Sequence, residues 1–206
     1  MLRTHRFFRY LILVPALFLL ASCYMPSAYQ LRIQILQDGR FAYEYEGDLL
    51  HLRFLSKLGL GEIQQGSDEE IEWAEIYEKD LRRDEGFSEI KYKGEGRFLV
   101  KFRFKGNINE LRSYHFVRRN AWFMRIARTA PGVVELKSNK LPENYRKELE
   151  ASGFIPWGRI RVWTDAEVTF ENATAVSGSG TRLYEWAIRS SEDELPRMVI
   201  GITPQP

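Results

Sequence analysis

The chain has 206 residues, 44% of them apolar and 28% charged, with 30 basic residues set against 28 acidic ones. So even a balance excludes both a disordered polyelectrolyte and a nucleic-acid binder that works through net charge. A single cysteine excludes a disulfide framework and a thiolate metal cage.

The first 22 residues read as an export signal. Arg3, Arg6 and Arg9 precede the apolar run Tyr10 to Leu20, which contains Pro15. That run is too short for a membrane span, which takes roughly 20 apolar residues, and its flanks are those of a secretory segment. It ends in Leu20-Ala21-Ser22-Cys23, which resembles the lipobox of bacterial lipoproteins, where the cysteine thiol is acylated and the peptide is cut just before it. The resemblance makes Cys23 the lipid attachment residue, carrying palmitate-type chains, and makes residues 1–22 the cleaved signal. Removing the signal takes away three basic residues and leaves 27 against 28, a net charge of −1. Tyr24 follows the anchor where inner-membrane retention commonly uses Asp, so the pattern resembles that sent to the periplasmic face of an outer membrane. Residues 23–28 are expected to be a short lipidated tether and residues 29–206 a single envelope domain. A subdivision near Leu141 is the alternative.

Tyr29 to Ile35 and Phe41 to Tyr45 alternate apolar with polar residues around Asp38-Gly39, which predicts a β-hairpin. Asp48 to Leu60 suits a continuing strand or a helix. Ser67 to Arg83 predicts a helix, with Ser67 as cap, Glu70 three residues on, acids at the start and bases at the end. Its expected apolar stripe is Ile71, Trp73, Ala74, Tyr77 and Leu81. Arg97 to Lys105 alternates strictly, Phe98, Val100, Phe102 and Phe104 facing in. Trp122 to Arg128 and Val133 to Leu136 predict strands around Pro131-Gly132. Pro142 to Ser152 predicts a short helix closed by Gly153. Arg159 to Thr164, Glu167 to Glu171, Arg182 to Ile188 and Met198 to Ile202 predict four more strands. The fold class expected is α+β: a mostly antiparallel β-sheet with one or two helices packed on a face.

The stretch Val162-Trp163-Thr164-Asp165-Ala166, Glu171-Asn172-Ala173 and Tyr184-x-Trp186-x-Ile188 resembles the β-hairpin end of the LppM-like lipoprotein domain family. The opening order of lipobox, alternating strand, Asp38-Gly39 and second strand agrees with that family, while Lys91 to Lys137 has no counterpart in the resemblance. It implies an α+β domain on the cell envelope that is not catalytic and handles lipid or glycolipid. Only Cys23 carries over from the family as a functional residue.

Motifs for chemistry are sparse. His51 and His115 are 64 positions apart and form no paired-ligand motif, so no metal site and no cofactor are expected. Ser177-Gly178-Ser179-Gly180 lacks the frame of a nucleophile elbow, and Gly59-Leu60-Gly61 and Gly94-Glu95-Gly96 lack that of a dinucleotide loop. Asp165 with Glu167, and Asp80 with Asp84, are carboxylate pairs better explained as solvated surface. The basic strand face Arg97, Lys101, Arg103 and Lys105, with Arg112, Arg118, Arg119, Arg125 and Arg128 nearby in sequence, is the candidate surface for ligand or anionic membrane, at about 1 kcal/mol per cation. The expected partners are the membrane, through the anchor, and a lipid, a glycolipid or an envelope protein, but no nucleic acid. The leading expectation is a non-catalytic envelope lipoprotein with an apolar groove. The alternatives are an accessory subunit of an envelope assembly and an envelope hydrolase.

Overall fold

The structure, a computed structural model, describes residues 24–118, 123–141, 143–151, 153–154 and 156–203. The signal segment, Cys23, Arg119, Trp122, Pro142 and Ser152 lie outside the described residues.

Strands β1 (Tyr24–Ile35) and β2 (Arg40–His51) form the expected hairpin. Gly39 turns it with φ +86°, a conformation open to glycine at little cost. The ambiguous stretch after Asp48 is both things: β2 runs on to His51, and α1 (Leu52–Gly59) follows with no intervening loop. Helix α2 (Asp68–Leu81) is capped as expected, Ser67 Oγ accepting from Glu70 N at 3.2 Å. Then come β3 (Phe87–Tyr92), β4 (Arg97–Asn107), the single turn α3 (Ile108–Leu111), β5 (Ser113–Phe116), β6 (Met124–Ala130) and β7 (Val133–Ser138). Helix α4 (Glu143–Ala151), β8 (Gly158–Thr164), β9 (Glu167–Glu171), β10 (Ala175–Ser177), β11 (Arg182–Ile188) and β12 (Arg197–Gly201) complete the chain.

The make-up is α+β and the pairing mostly antiparallel, as the patterns predict. The strands divide between two sheets, ordered β10-β11-β8-β1-β2-β4-β3 and β5-β6-β7-β12-β9. Among the described pairings only β1 with β8 is parallel. The inner face of the first sheet (Ile33, Tyr43, Phe102, Val162, Trp186) meets Phe116, Ile126, Leu136 and Ile200 of the second in one continuous core. Aromatic rings fill the contact, Phe116 lying 4.9 to 5.0 Å from Tyr43, Tyr45 and Phe102. Helices cover the other side of the hairpin at the β1 start, where Met25, Leu50 and Leu149 form a smaller core with Leu52, Leu55 and Phe154.

Three details depart from the patterns. Tyr24 to Ala28, expected as a tether, begins β1: Tyr24 pairs with His51 and Met25 with Leu50, and both are buried. A bulge at Ala28 (φ +51°) slips the alternation by one residue, so the earlier part of the strand runs out of phase with Tyr29 to Ile35. In α2, Ile71 is half exposed, while Ala74 and Leu81 are buried. The helix is rotated because the buried Glu70 carboxylate faces inward, taking hydrogen bonds from Gly66 N (2.5 Å) and the Tyr92 hydroxyl. Finally, the chain crosses between sheets at Thr164-Asp165-Ala166, where Asp165 Oδ1 accepts from Gln37 N (2.8 Å), so β8 and β11 share one sheet and β9 lies in the other.

Candidate functional site at the helical end of the sandwich

The basic residues of β4 come first, since the sequence singles them out. Alternation puts Arg97, Lys101, Arg103 and Lys105 together on the outer face of the first sheet, opposite the buried Phe98, Val100 and Phe102. Strand register sets acids among them. Lys101 meets Glu89 at 2.9 Å and Glu46 at 3.9 Å, Arg103 meets Glu44 at 3.8 Å, and Arg97 meets Glu95 at 2.8 Å. The sequence hides this because the matching acids sit on β2, β3 and the β3–β4 turn. Exposed pairs of this kind contribute about 0–1 kcal/mol each, and they leave a mixed face rather than a basic one. Arg118 is held by Asp80.

The remaining sequence candidates have local bonding roles. Asp84 Oδ1 accepts from Gly86 N at 3.1 Å. Gly178 and Gly180, both at positive φ, turn the β10–β11 hairpin. Asn172, in the family-like stretch, is a structural hub: Trp186 Nε1 donates to its carbonyl (3.0 Å) and its Oδ1 (3.1 Å), Arg197 N donates to the same Oδ1 (2.8 Å), and its Nδ2 donates to the Leu195 carbonyl (3.0 Å).

His51 and His115 lie on different sheets, on β2 and β5. His51 is buried at the junction of β2 and α1, where Nδ1 accepts from Phe54 N (3.2 Å) and caps the helix. Its ring stacks on Tyr77 at 3.7 Å and meets Tyr24 edge-on at 4.8 Å. Burial pushes its pKa down to about 4 from an ordinary 6.5. The unfolded chain therefore takes up the proton first as pH falls, and stability is lost across that window. We expect a loss of about 3 kcal/mol between pH 6.5 and pH 4, levelling off below, from the value of His51. Denaturant titrations at stepped pH measure it, and His51→Phe should flatten the slope. Asp38 and Asp193, held low mainly by backbone N–H donors, and Glu192, held low mainly by its hydrogen bond from Arg146, add their own loss from about pH 5 downwards, so the His51 contribution stands alone only in the upper part of this window.

Two recesses flank the first residues of β1. One is an apolar pocket of about 60 Å³ walled by Met25, Tyr29, Phe123, Leu149, Phe154 and Ile188. The other is an open cleft of about 500 Å³, within the usual range of small-molecule sites. Ser27, Asp48 and Arg97 stand on its sheet side, Leu58 and Gln65 on the α1 side, and Phe154 with Trp157 on the segment before β8. Asp48 is buried and has Lys93 Nζ at 3.5 Å; Trp157 is 58% exposed. Of the basic residues that the sequence singles out, Arg97 is the one among the described residues that lines this cleft. One signal in the sequence marks it: a lone Trp157 between Pro156 and Gly158, outside any strand pattern.

No family model matches the chain, and no curated protein matches it. Among solved structures it is similar to the folded domain of LppM from Mycobacterium tuberculosis, determined by NMR, at 11% identity and a TM-score of 0.41, over 88% of this chain and 94% of that one.

Proposed function

We propose that the chain is a lipoprotein of the bacterial cell envelope, anchored by acyl groups on Cys23, whose domain binds a lipid, a glycolipid or another envelope component and catalyses no reaction. The observation that carries this reading is continuity: the lipobox cysteine runs straight into β1, whose first residue is buried. An acyl group on Cys23 is then one residue along the chain from the body of the domain. The helical end is held against the bilayer, and the cleft beside Ser27 opens close to it. Tyr24, where Asp would favour inner-membrane retention, supports a place on the periplasmic face of an outer membrane in a host that has one.

Anchoring is tested by Cys23→Ser in a bacterial host grown with a clickable palmitate analogue. Wild-type protein should carry label and sediment with membranes; the variant should lose label and either keep its leader or appear in the soluble fraction. Equal label and equal sedimentation in both would refute the anchor.

A second reading, an accessory subunit of an envelope assembly, is favoured by one observation. The edge strands β9 and β10 carry the exposed Phe170 and Val176, at 46% and 47%.

A further inference from the structure

We infer that the 500 Å³ cleft between α1 and the segment before β8 is a saccharide site that takes a neutral sugar unit. This rests on the component-binding half of the proposed function and names its ligand class; it does not depend on the anchor.

The charges of the cleft settle which ligand fits. Asp48 is matched by Lys93 (3.5 Å) and Glu95 by Arg97 (2.8 Å), so no whole charge is left over to hold an ionic ligand. What remains is a set of fixed donors and acceptors. Asp48 and Glu95 have further lone pairs, and Gln65 offers an amide that reaches Glu95 at only 3.5 Å. Arg97 Nε is buried and has no hydrogen-bond partner among the described residues. The Arg97 side chain is 33% exposed, so any donor it offers a ligand is on its terminal guanidinium nitrogens. A hydroxyl both donates and accepts, so adjacent hydroxyls on one ring can serve a carboxylate and a guanidinium side by side.

The opposite wall supplies the apolar half. Trp157 presents an indole that is 58% exposed beside the part-buried Phe154. A large ring left in water next to buried polar groups suits a ligand with one apolar face and one polar rim, as the C–H face and hydroxyl edge of a pyranose provide. Backbone geometry agrees. Three described non-glycine residues have positive φ, and two of them, Ala28 (+51°) and Glu95 (+55°), line this cleft. Such conformations cluster at ligand sites, where the surrounding fold holds them.

The test uses the full chain extracted in a detergent without a sugar headgroup, titrated calorimetrically with neutral trisaccharides of glucose, of mannose and of N-acetylglucosamine. At least one should bind with Kd at or below about 1 mM. Trp157→Ala, which removes an exposed ring and should leave the melting temperature unchanged, should weaken it about tenfold, and Gln65→Ala less so. Asp48→Asn should weaken it too, provided its melting temperature is kept. If none of the three binds with a Kd at or below roughly 1 mM, the inference fails. It also fails if Trp157→Ala binds as well as wild type, or if choline phosphate displaces the sugar, since an ionic headgroup would then be the occupant. None of these results bears on membrane sedimentation, so the anchor stands or falls separately.

Discussion

Replacing Trp186 with alanine should lower the stability of the domain by about 4 kcal/mol, the largest effect expected of any single side chain. Trp186 is 1% exposed, at the centre of the inter-sheet core. The substitution opens a cavity between two sheets that cannot close on it, because β11 is fixed by β8 on one side and β10 on the other. It also removes the indole N–H from Asn172, which joins the end of β9 to the start of β12 through Arg197 N. Trp186→Phe retains most of the ring volume and loses only that donor, so it should cost about 1–2 kcal/mol. Denaturant midpoints at constant slope measure both. Against a total of about 5–15 kcal/mol for a domain, the alanine variant should keep about 1–11 kcal/mol and unfold at a clearly lower denaturant midpoint.

Gly47→Ala should cost about 3 kcal/mol, by a different route. Gly47 has φ +152° and lies opposite the Ala28 bulge. A Cβ there would fall 2.5 Å from Tyr29 Cα and 2.6 Å from the Ala28 carbonyl oxygen. These are backbone atoms of the neighbouring strand, so no rotamer change relieves the clash. The control is Gly59→Ala at the end of α1, where the added carbon meets nothing within 4 Å. Better helix propensity should make that variant more stable by about 0.5–1 kcal/mol. Because the bulge shapes the sheet side of the cleft, Gly47→Ala should also weaken any ligand bound beside Ser27.

Much of the strand content was readable from side-chain alternation, since β1 beyond Ala28, β2 and β4 each bury every second residue: Leu31, Ile33 and Ile35, then Phe41, Tyr43 and Tyr45, then Phe98, Val100 and Phe102. Ser67 and the acids after it marked the start of α2 because capping is local chemistry. Sheet membership was not legible. Period-2 patterning says which face of a strand is buried and not which sheet does the burying, so the crossing at Thr164-Asp165-Ala166 leaves no trace in alternation. The bulge at Ala28 likewise hid the first residues of β1, and the inward turn of Glu70 hid the rotation of α2.

The candidate cleft was less legible than the fold. Ser27, Asp48, Arg97 and Trp157 come from four separate stretches of chain, joined because β1 pairs with β2 on one side and with β8 on the other, and β2 in turn pairs with β4. The basic stripe of β4 was visible in sequence, but the acids interleaved with it were visible only as register: Glu44 opposite Arg103, Glu46 opposite Lys101. Arg97 is the one residue of that stripe that lines the cleft.

The central claim is a covalent one, and the mass of the protein's first residue tests it most directly. In membrane-extracted material, proteolysis followed by mass spectrometry should find an amino-terminal peptide that begins at residue 23 and carries a diacylglycerol thioether on its sulfur. A peptide containing residues 20–24 uncut, with an unmodified thiol, would contradict the account.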